Sequence, residues 1–156
     1  MQYEMTCFME QCVERYLELA NTTVDKLRAV ATPGRHDHSF TPEDWTENGR
    51  LAPIAASVLV NILYAALMYR YDLLHTVNNL ARDVTRWCRA CDNTLHRLVS
   101  YIHHTKDHVL RGATGDRLQD CVLMLFTDAD FASNQRDSKR TTGLYMAFVG
   151  PRTFPP

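Results

Sequence analysis

Residues 121–130, CVLMLFTDAD, mark the point where the chain changes character. Residues 121–126 are an unbroken apolar run, short enough for a buried strand, and Thr127, Asp128 and Asp130 follow directly. After a polar loop, residues 142–150 (TGLYMAFVG) read as a second strand, so a hairpin-like pair is expected. Upstream of residue 120 the apolar positions recur at helical spacing instead. The fold class that follows is α+β, a helical N-terminal two-thirds succeeded by strands. Two strands cannot bury both faces of a sheet, so this pair calls for partners beyond itself.

Working back from the strands, Asp92 is placed to cap a helix with Leu95, Leu98, Val99 and Ile102 on one side, fading near residues 112–115. Before it, Leu73, Val77, Leu80, Val84 and Trp87 recur at steps of four, three, four and three, the clearest amphipathic signal in the chain, with Asp72 as cap. That period predicts one helix running through Cys88. Residues 54–67 present two adjoining apolar rows, Ala55, Leu59, Leu63 and Leu67 beside Ile54, Val58 and Ile62, and so predict a largely buried helix. Pro53 fits its first turn, where a missing N–H costs nothing. Residues 32–50, rich in Pro, Gly, Asp, Asn and Thr, read as an irregular connector. Farther upstream, Phe8, Cys12, Tyr16 and Leu19 suit one face of a helix. The expected organisation is a helical segment 1–31, a connector 32–53, a helical region 54–112 and a strand region 118–156.

The 156 residues, 46% hydrophobic and 22% charged, suit a globular domain of ordinary size. A net charge of -1 supplies no global basic field, so any nucleic-acid binding must come from local patches. Five cysteines are an odd number, and Glu4 and Glu10 interrupt the N-terminus before a secretory signal can form. An intracellular location, cytoplasmic or nuclear, with free thiols is therefore expected. Residues 51–68 hold no charge and approach the length of a membrane span, but Pro53, Ser57 and Asn61 favour a core helix.

The segment 126–150, FTDADFASNQRDSKRTTGLYMAFVG, resembles the start of the copia-type retrotransposon ribonuclease H domain, whose strand ends in aromatic-Ser-Asp-Ala-Asp-Trp-Ala-Gly. Phe126, Asp128, Ala129, Asp130, Phe131 and Ala132 carry that motif. Lys139, Thr141, Gly143 and Tyr145 resemble the Arg-Lys-Ser-Thr-Ser-Gly-Tyr segment after it. Upstream, residues 62–82 are similar to the family's Leu-Tyr-x-Ala-x-x-Thr-Arg-Pro-Asp-Ile stretch, with Arg70, Asp72, Val77, Asn78 and Arg82 in place. Arg97, Tyr101 and Thr105 resemble its Lys-Arg-Val-Leu-Arg-Tyr-Leu-Lys-Gly-Thr helix. The chain departs from the family at Tyr71 (Pro there), Phe131 (Trp), Ser133 (Gly) and Cys91 (His). The resemblance implies a thumb- or connection-like part of reverse transcriptase, followed by the opening strands of an incomplete ribonuclease H-like sheet. It also implies that the polymerase Tyr-x-Asp-Asp motif and the later ribonuclease H carboxylates belong to flanking parts of a Pol polyprotein.

On that resemblance Asp128 aligns with the first carboxylate of a two-metal site, with Asp130 as a second Mg²⁺ ligand. Mg²⁺ is then a cofactor of the intact parent, and no metal is expected on this chain alone. Without the family, Asp-Ala-Asp after a strand is ordinary loop chemistry. Arg82, Arg86 and Arg89, at i, i+4 and i+7 of the predicted helix, would form a basic stripe, extended by Arg97, against the phosphates of a template-primer duplex or RNA–DNA hybrid. The plain alternative is a solvated face. Two other readings remain open: a zinc-binding interaction module using Cys88, Cys91, His104 and His108, whose spacing suits a two-Cys two-His site, and a small membrane-associated helical protein. His36 and His38 read as surface residues. The favoured partners are nucleic acid and the rest of the Pol polyprotein, with no membrane.

Overall fold

The computed structural model describes residues 2–35, 39–129 and 142–155. The chain divides into two compact units, Glu4–Val109 and a second that joins the N-terminal strand to the chain from Leu110 onward.

The first unit is helical: α1 (Thr6–Leu19), α2 (Pro42–Thr46), α3 (Ala52–Met68), α4 (Tyr71–Arg82) and α5 (Arg89–His104). Helix α1 turns Met9, Cys12, Val13 and Tyr16 inward, while Leu19, expected on that face, is exposed. Asn21 ends the helix in the left-handed region at φ 48°. This turn lets the N–H of Asn21 reach the Glu18 carbonyl and that of Thr22 the Leu17 carbonyl, closing two carbonyls that the helix end leaves open. The expected irregular connector instead contains α2, started by Pro42 and by the Thr41 N–H donating to the Asp44 carboxylate at 3.0 Å.

Pro53 lies in the first turn of α3, as its fixed φ suits. The helix buries Ala55, Val58, Leu59, Ile62, Ala65 and Ala66, and it packs on α1 and α4. The three alanines let those neighbours approach closely. The expectation of a largely buried helix holds for only one side, because Val60, Tyr64, Leu67 and Met68 are exposed on the other. No helix among the described residues is long and apolar enough to cross a membrane.

The long helix predicted through Cys88 is broken. α4 stops at Arg82, Val84–Arg86 is a 3₁₀ turn, and Trp87 and Cys88 are extended with ψ 121° and 176°. Their backbone leaves the helical ladder to pair with the connector. The Gly49 N–H donates to the Trp87 carbonyl (3.1 Å) and the Arg89 N–H to the Glu47 carbonyl (2.9 Å), around an Asn48–Cys88 bridge. Trp87 still reaches the core, so the apolar period continues across a break it cannot report. Asp92 likewise caps a different helix from the one expected. It lies inside α5, and its carboxylate accepts from the N–H groups of Arg50 (2.6 Å) and Leu51 (3.0 Å) at the head of α3, and from the Trp87 indole (2.7 Å).

In the second unit β1 (Gln2–Tyr3) pairs antiparallel with β2 (Leu110–Arg111), and β3 (Val122–Ala129) with β4 (Thr142–Val149). The C-terminal segment is held by Thr153, whose hydroxyl accepts from the N–H groups of Gly115 and Asp116. Phe154 bridges to Ala113.

Candidate functional site

The antiparallel register sets the residues of the acidic motif opposite one another. Phe126 pairs with Tyr145 and Asp128 with Gly143, the rings of the first pair 6.1 Å apart. Alternation puts Val122, Met124, Phe126 and Asp128 on one face. A Cβ on Gly143 would lie 3.7 Å from the Asp128 Cβ, so glycine keeps the surface beside the carboxylate low. Asp128 itself is exposed at the end of β3. Asp130, Lys139 and Thr141 lie outside the described residues, as do His36 and His38. Among the described residues no three His, Cys, Asp or Glu side chains converge to hold a metal ion. Among the described residues Asp128 is thus one oxygen ligand where Mg²⁺ chemistry needs several acting together.

The arginines expected in one stripe do not share a helix. Arg82 closes α4 and bonds to Asn79, whereas Arg86 stands on the 3₁₀ turn, paired with Asp83 at 3.2 Å and 70% exposed. Arg89 opens α5 and is engaged by Asp44 (2.6 Å) and Glu47, which ties α2 to α5. Arg97 donates to the carbonyls of Thr32 (3.0 Å) and Gly34 (2.9 Å), pinning the connector. The i, i+4, i+7 argument fails because the helix breaks after Arg82, and two of the four guanidinium groups already serve the fold.

The zinc set does not assemble either. Cys88 is the N-cap of α5 and Cys91 sits in its first turn, both buried with their sulfurs 3.5 Å apart. His104 is the last residue of the same helix, so about 20 Å of helix separates it from Cys91. Its Nδ1 is occupied by the Ser100 carbonyl. Burial pushes the Cys91 thiol up to about 12, the opposite of what a thiolate ligand requires.

The sequence marks Arg70, Tyr101 and Thr105 as points of resemblance and Asp72 also as a helix cap, in two blocks some thirty residues apart; Asp72 instead lies in the first turn of α4, whose N-cap is Arg70. The structure brings all four together. Arg70, 2% exposed, grips both oxygens of Asp72 (2.9 and 2.8 Å) and donates to the carbonyl and hydroxyl of Thr105 (2.9 Å each), its guanidinium 5.7 Å from the centre of the Tyr101 ring. Burial raises the pKa of Asp72, but the Arg70 hydrogen bonds and charge outweigh it and hold the carboxyl below its usual value. The cluster clamps the start of α4 to the end of α5. Its spacing carried no mark of this, since neither block meets the other until α5 folds back.

A polar cleft of about 470 Å³ opens between α1 and α5, lined by Tyr16, Lys26, Arg50, Arg89, Asp92 and His96. The Lys26 carbonyl can only accept, so His96 Nε2 carries the hydrogen (3.2 Å) and Nδ1 accepts from the Tyr16 hydroxyl (2.9 Å). Burial, with Asp92 adding to it, pushes Tyr16 up to about 12, so this pair is a neutral structural link and not an activated phenolate.

Over 150 residues, 90% of its length, the chain is 29% identical to the retrovirus-related Pol polyprotein from transposon TNT 1-94 of Nicotiana tabacum. It spans about a tenth of that relative's length. The chain is therefore similar to a piece of a retrotransposon Pol polyprotein. No family model matches it, and no solved structure matches it significantly.

Proposed function

We propose that this chain is an internal segment of a copia-type Pol polyprotein, joining the end of the reverse-transcriptase region to the first strands of a ribonuclease H-like domain. It would contribute to template-primer binding and RNA–DNA hybrid hydrolysis only within the intact parent. The observation that carries the reading is the cross-strand register, which places Gly143 opposite Asp128 and Tyr145 opposite Phe126, uniting two halves of one motif that lie fifteen or more residues apart. Similarity to a tobacco Pol polyprotein along nine-tenths of the chain supports the coarser part of this reading, a piece of a retrotransposon Pol polyprotein. In that setting Asp128 and Asp130 would supply oxygens to Mg²⁺, and the remaining ligands would come from other parts of the parent. No catalytic step is assigned to this chain alone. Of the arginines, Arg82 and Arg86 remain the ones open to a phosphate backbone, while Arg89 and Arg97 act by holding the connector.

The test is hybrid cleavage. The 156-residue chain should not cut an RNA–DNA hybrid with Mg²⁺ or Mn²⁺. Placed in the tobacco polyprotein in exchange for its matching segment, the chain should support Mg²⁺-dependent cleavage that falls a hundredfold or more on Asp128→Asn. Cleavage by that chimera at an unchanged rate in Asp128→Asn would reject the assignment.

A further inference from the structure

Cys88 and Cys91 hold no zinc set with His104, yet they meet each other. Cys88 is the N-cap of α5, Cys91 lies in its first turn, and the two buried sulfurs are 3.5 Å apart. A disulfide bond is about 2.05 Å long, so roughly 1.5 Å of approach turns this contact into a bond. Two cysteines spaced C-x-x-C are a recurring dithiol pair. Cys7 and Cys12, both on α1, make no such sulfur–sulfur contact among the described residues. Cys91 also stands where the copia-type pattern has His, so the second thiol is a feature of this chain.

We infer that Cys88 and Cys91 form a reversible dithiol–disulfide pair, oxidised by hydrogen peroxide and restored by a small thiol. The Cys88 sulfur attacks one peroxide oxygen and the O–O bond breaks. The departing hydroxide takes up the Cys88 proton as water, leaving a sulfenic acid. The Cys91 sulfur then attacks the Cys88 sulfur, the S–O bond breaks, and the hydroxide that leaves carries the Cys91 proton away as water. Two thiols have given up two electrons, and one peroxide has become two waters. Burial, with the neighbouring Cys88 sulfur adding to it, pushes Cys91 up to about 12, so it keeps its proton until that leaving group beside it takes it. Access comes through the connector. Cys88 stands in the bridge to Asn48, held by the Gly49 N–H on the Trp87 carbonyl and the Arg89 N–H on the Glu47 carbonyl. Opening so short a ladder admits a molecule scarcely larger than water while α5 stays folded, and bulkier thiol reagents stay outside.

Peptide mapping of the folded 156-residue chain tests this. Trypsin cuts after Arg89, between the two cysteines, so a disulfide joins peptide 87–89 to peptide 90–97 and free thiols leave them separate. After peroxide treatment and alkylation, the joined peptides should exceed every other cysteine pairing by about tenfold or more, and dithiothreitol should part them. Because serine at either position could disturb the head of α5, the chain with both cysteines carries the decisive measurement, with circular dichroism verifying that it stays folded. The double variant Cys7→Ser, Cys121→Ser should give the joined peptides in unchanged yield. Joined peptides that appear only in denaturant, oxidation confined to Cys7, a dominant disulfide through Cys7, Cys12 or Cys121, or loss of the joined peptides in the double variant would each overturn the proposal.

Discussion

Arg70 shows how a residue that carries the family resemblance can serve the fold. Its guanidinium is buried at the joint between two helices, and with Asp72 and Thr105 it satisfies nearly all of its donors. Arg70→Met keeps the aliphatic packing but takes the guanidinium from Asp72 and Thr105, leaving Asp72 only the Tyr101 side chain and the Thr105 carbonyl only the His108 N–H. Breaking a fully buried pair costs about 3–5 kcal/mol, and Asp72 is 37% exposed, so about 2–3 kcal/mol is expected in denaturant unfolding. The pH dependence follows from the direction of the Asp72 shift. A carboxyl held below its ordinary value stabilises the fold above the unfolded pKa of roughly 4, and this contribution fades as pH falls through the lower folded value. The stability gap between wild type and Arg70→Met should therefore be full at pH 6–7 and shrink below about pH 4. Asp92 offers a second case. Asp92→Ala strands two N–H groups at the head of α3 and one indole N–H, at a cost of about 2 kcal/mol, while Asp92→Asn, which retains one acceptor oxygen, should lose less.

Among the elements, the break between α4 and α5 is where local pattern and structure part. Apolar spacing reports which side chains face the core, and Val84 and Trp87 keep that spacing although the backbone beneath them is no longer helical. What decides the break is the competing pairing of residues 87–89 with residues 47–49, a contact some forty residues long-range. Gly49 is the tight point, because a Cβ there would meet the Trp87 ring and lie 2.6 Å from the Cys88 carbonyl oxygen. Gly49→Ala should cost about 1–3 kcal/mol and raise amide exchange at residues 47–49 and 87–89 before the rest of the helical unit. The two sides of α3 give a complementary expectation. Ile62→Ala, at a fully buried position against α4, should cost about 2–5 kcal/mol, whereas Leu67→Lys on the exposed side should change stability by no more than about 0.5 kcal/mol.

For the helical unit as a whole, each of the other four helices and the connector reaches α5 through a named polar contact: α2 through Arg89, α3 through Asp92, α1 through His96, the connector through Arg97 and α4 through Thr105. Its buried acids set the alkaline limit. Cys12 is pushed up to about 11, and Tyr16 and Cys91 to about 12, each mainly by burial. Groups whose folded pKa is raised favour the fold below their unfolded values, near 8.5 for thiols and 10 for tyrosine, and this advantage is lost as pH climbs toward the folded ones. Thermal stability should accordingly decline from about pH 9 upward. In thiol titration at pH 8, exposed Cys7 should react at once, while Cys12, Cys88 and Cys91 should wait for unfolding. Rapid modification of all five would contradict the packing described.

The short-range features were legible along the chain: helical spacing upstream and strand spacing after residue 120, Pro53 at a helix start, and Asp128 near a strand end, because each is written in residues within a few positions of one another. Tertiary structure alone decided the break at residues 83–88, the dispersal of Arg82, Arg86, Arg89 and Arg97, the separation of Cys88 and Cys91 from His104, and the meeting of Arg70 and Asp72 with Tyr101 and Thr105. For the break, for Arg89 and Arg97 and for the Arg70 cluster the deciding partner lies roughly 35 to 65 residues away, Arg82 and Arg86 are parted from the others by the break, and one helix holds Cys91 and His104 apart. Such choices rest on which hydrogen bonds remain unsatisfied once the chain is compact, and periodicity along the chain carries no record of them.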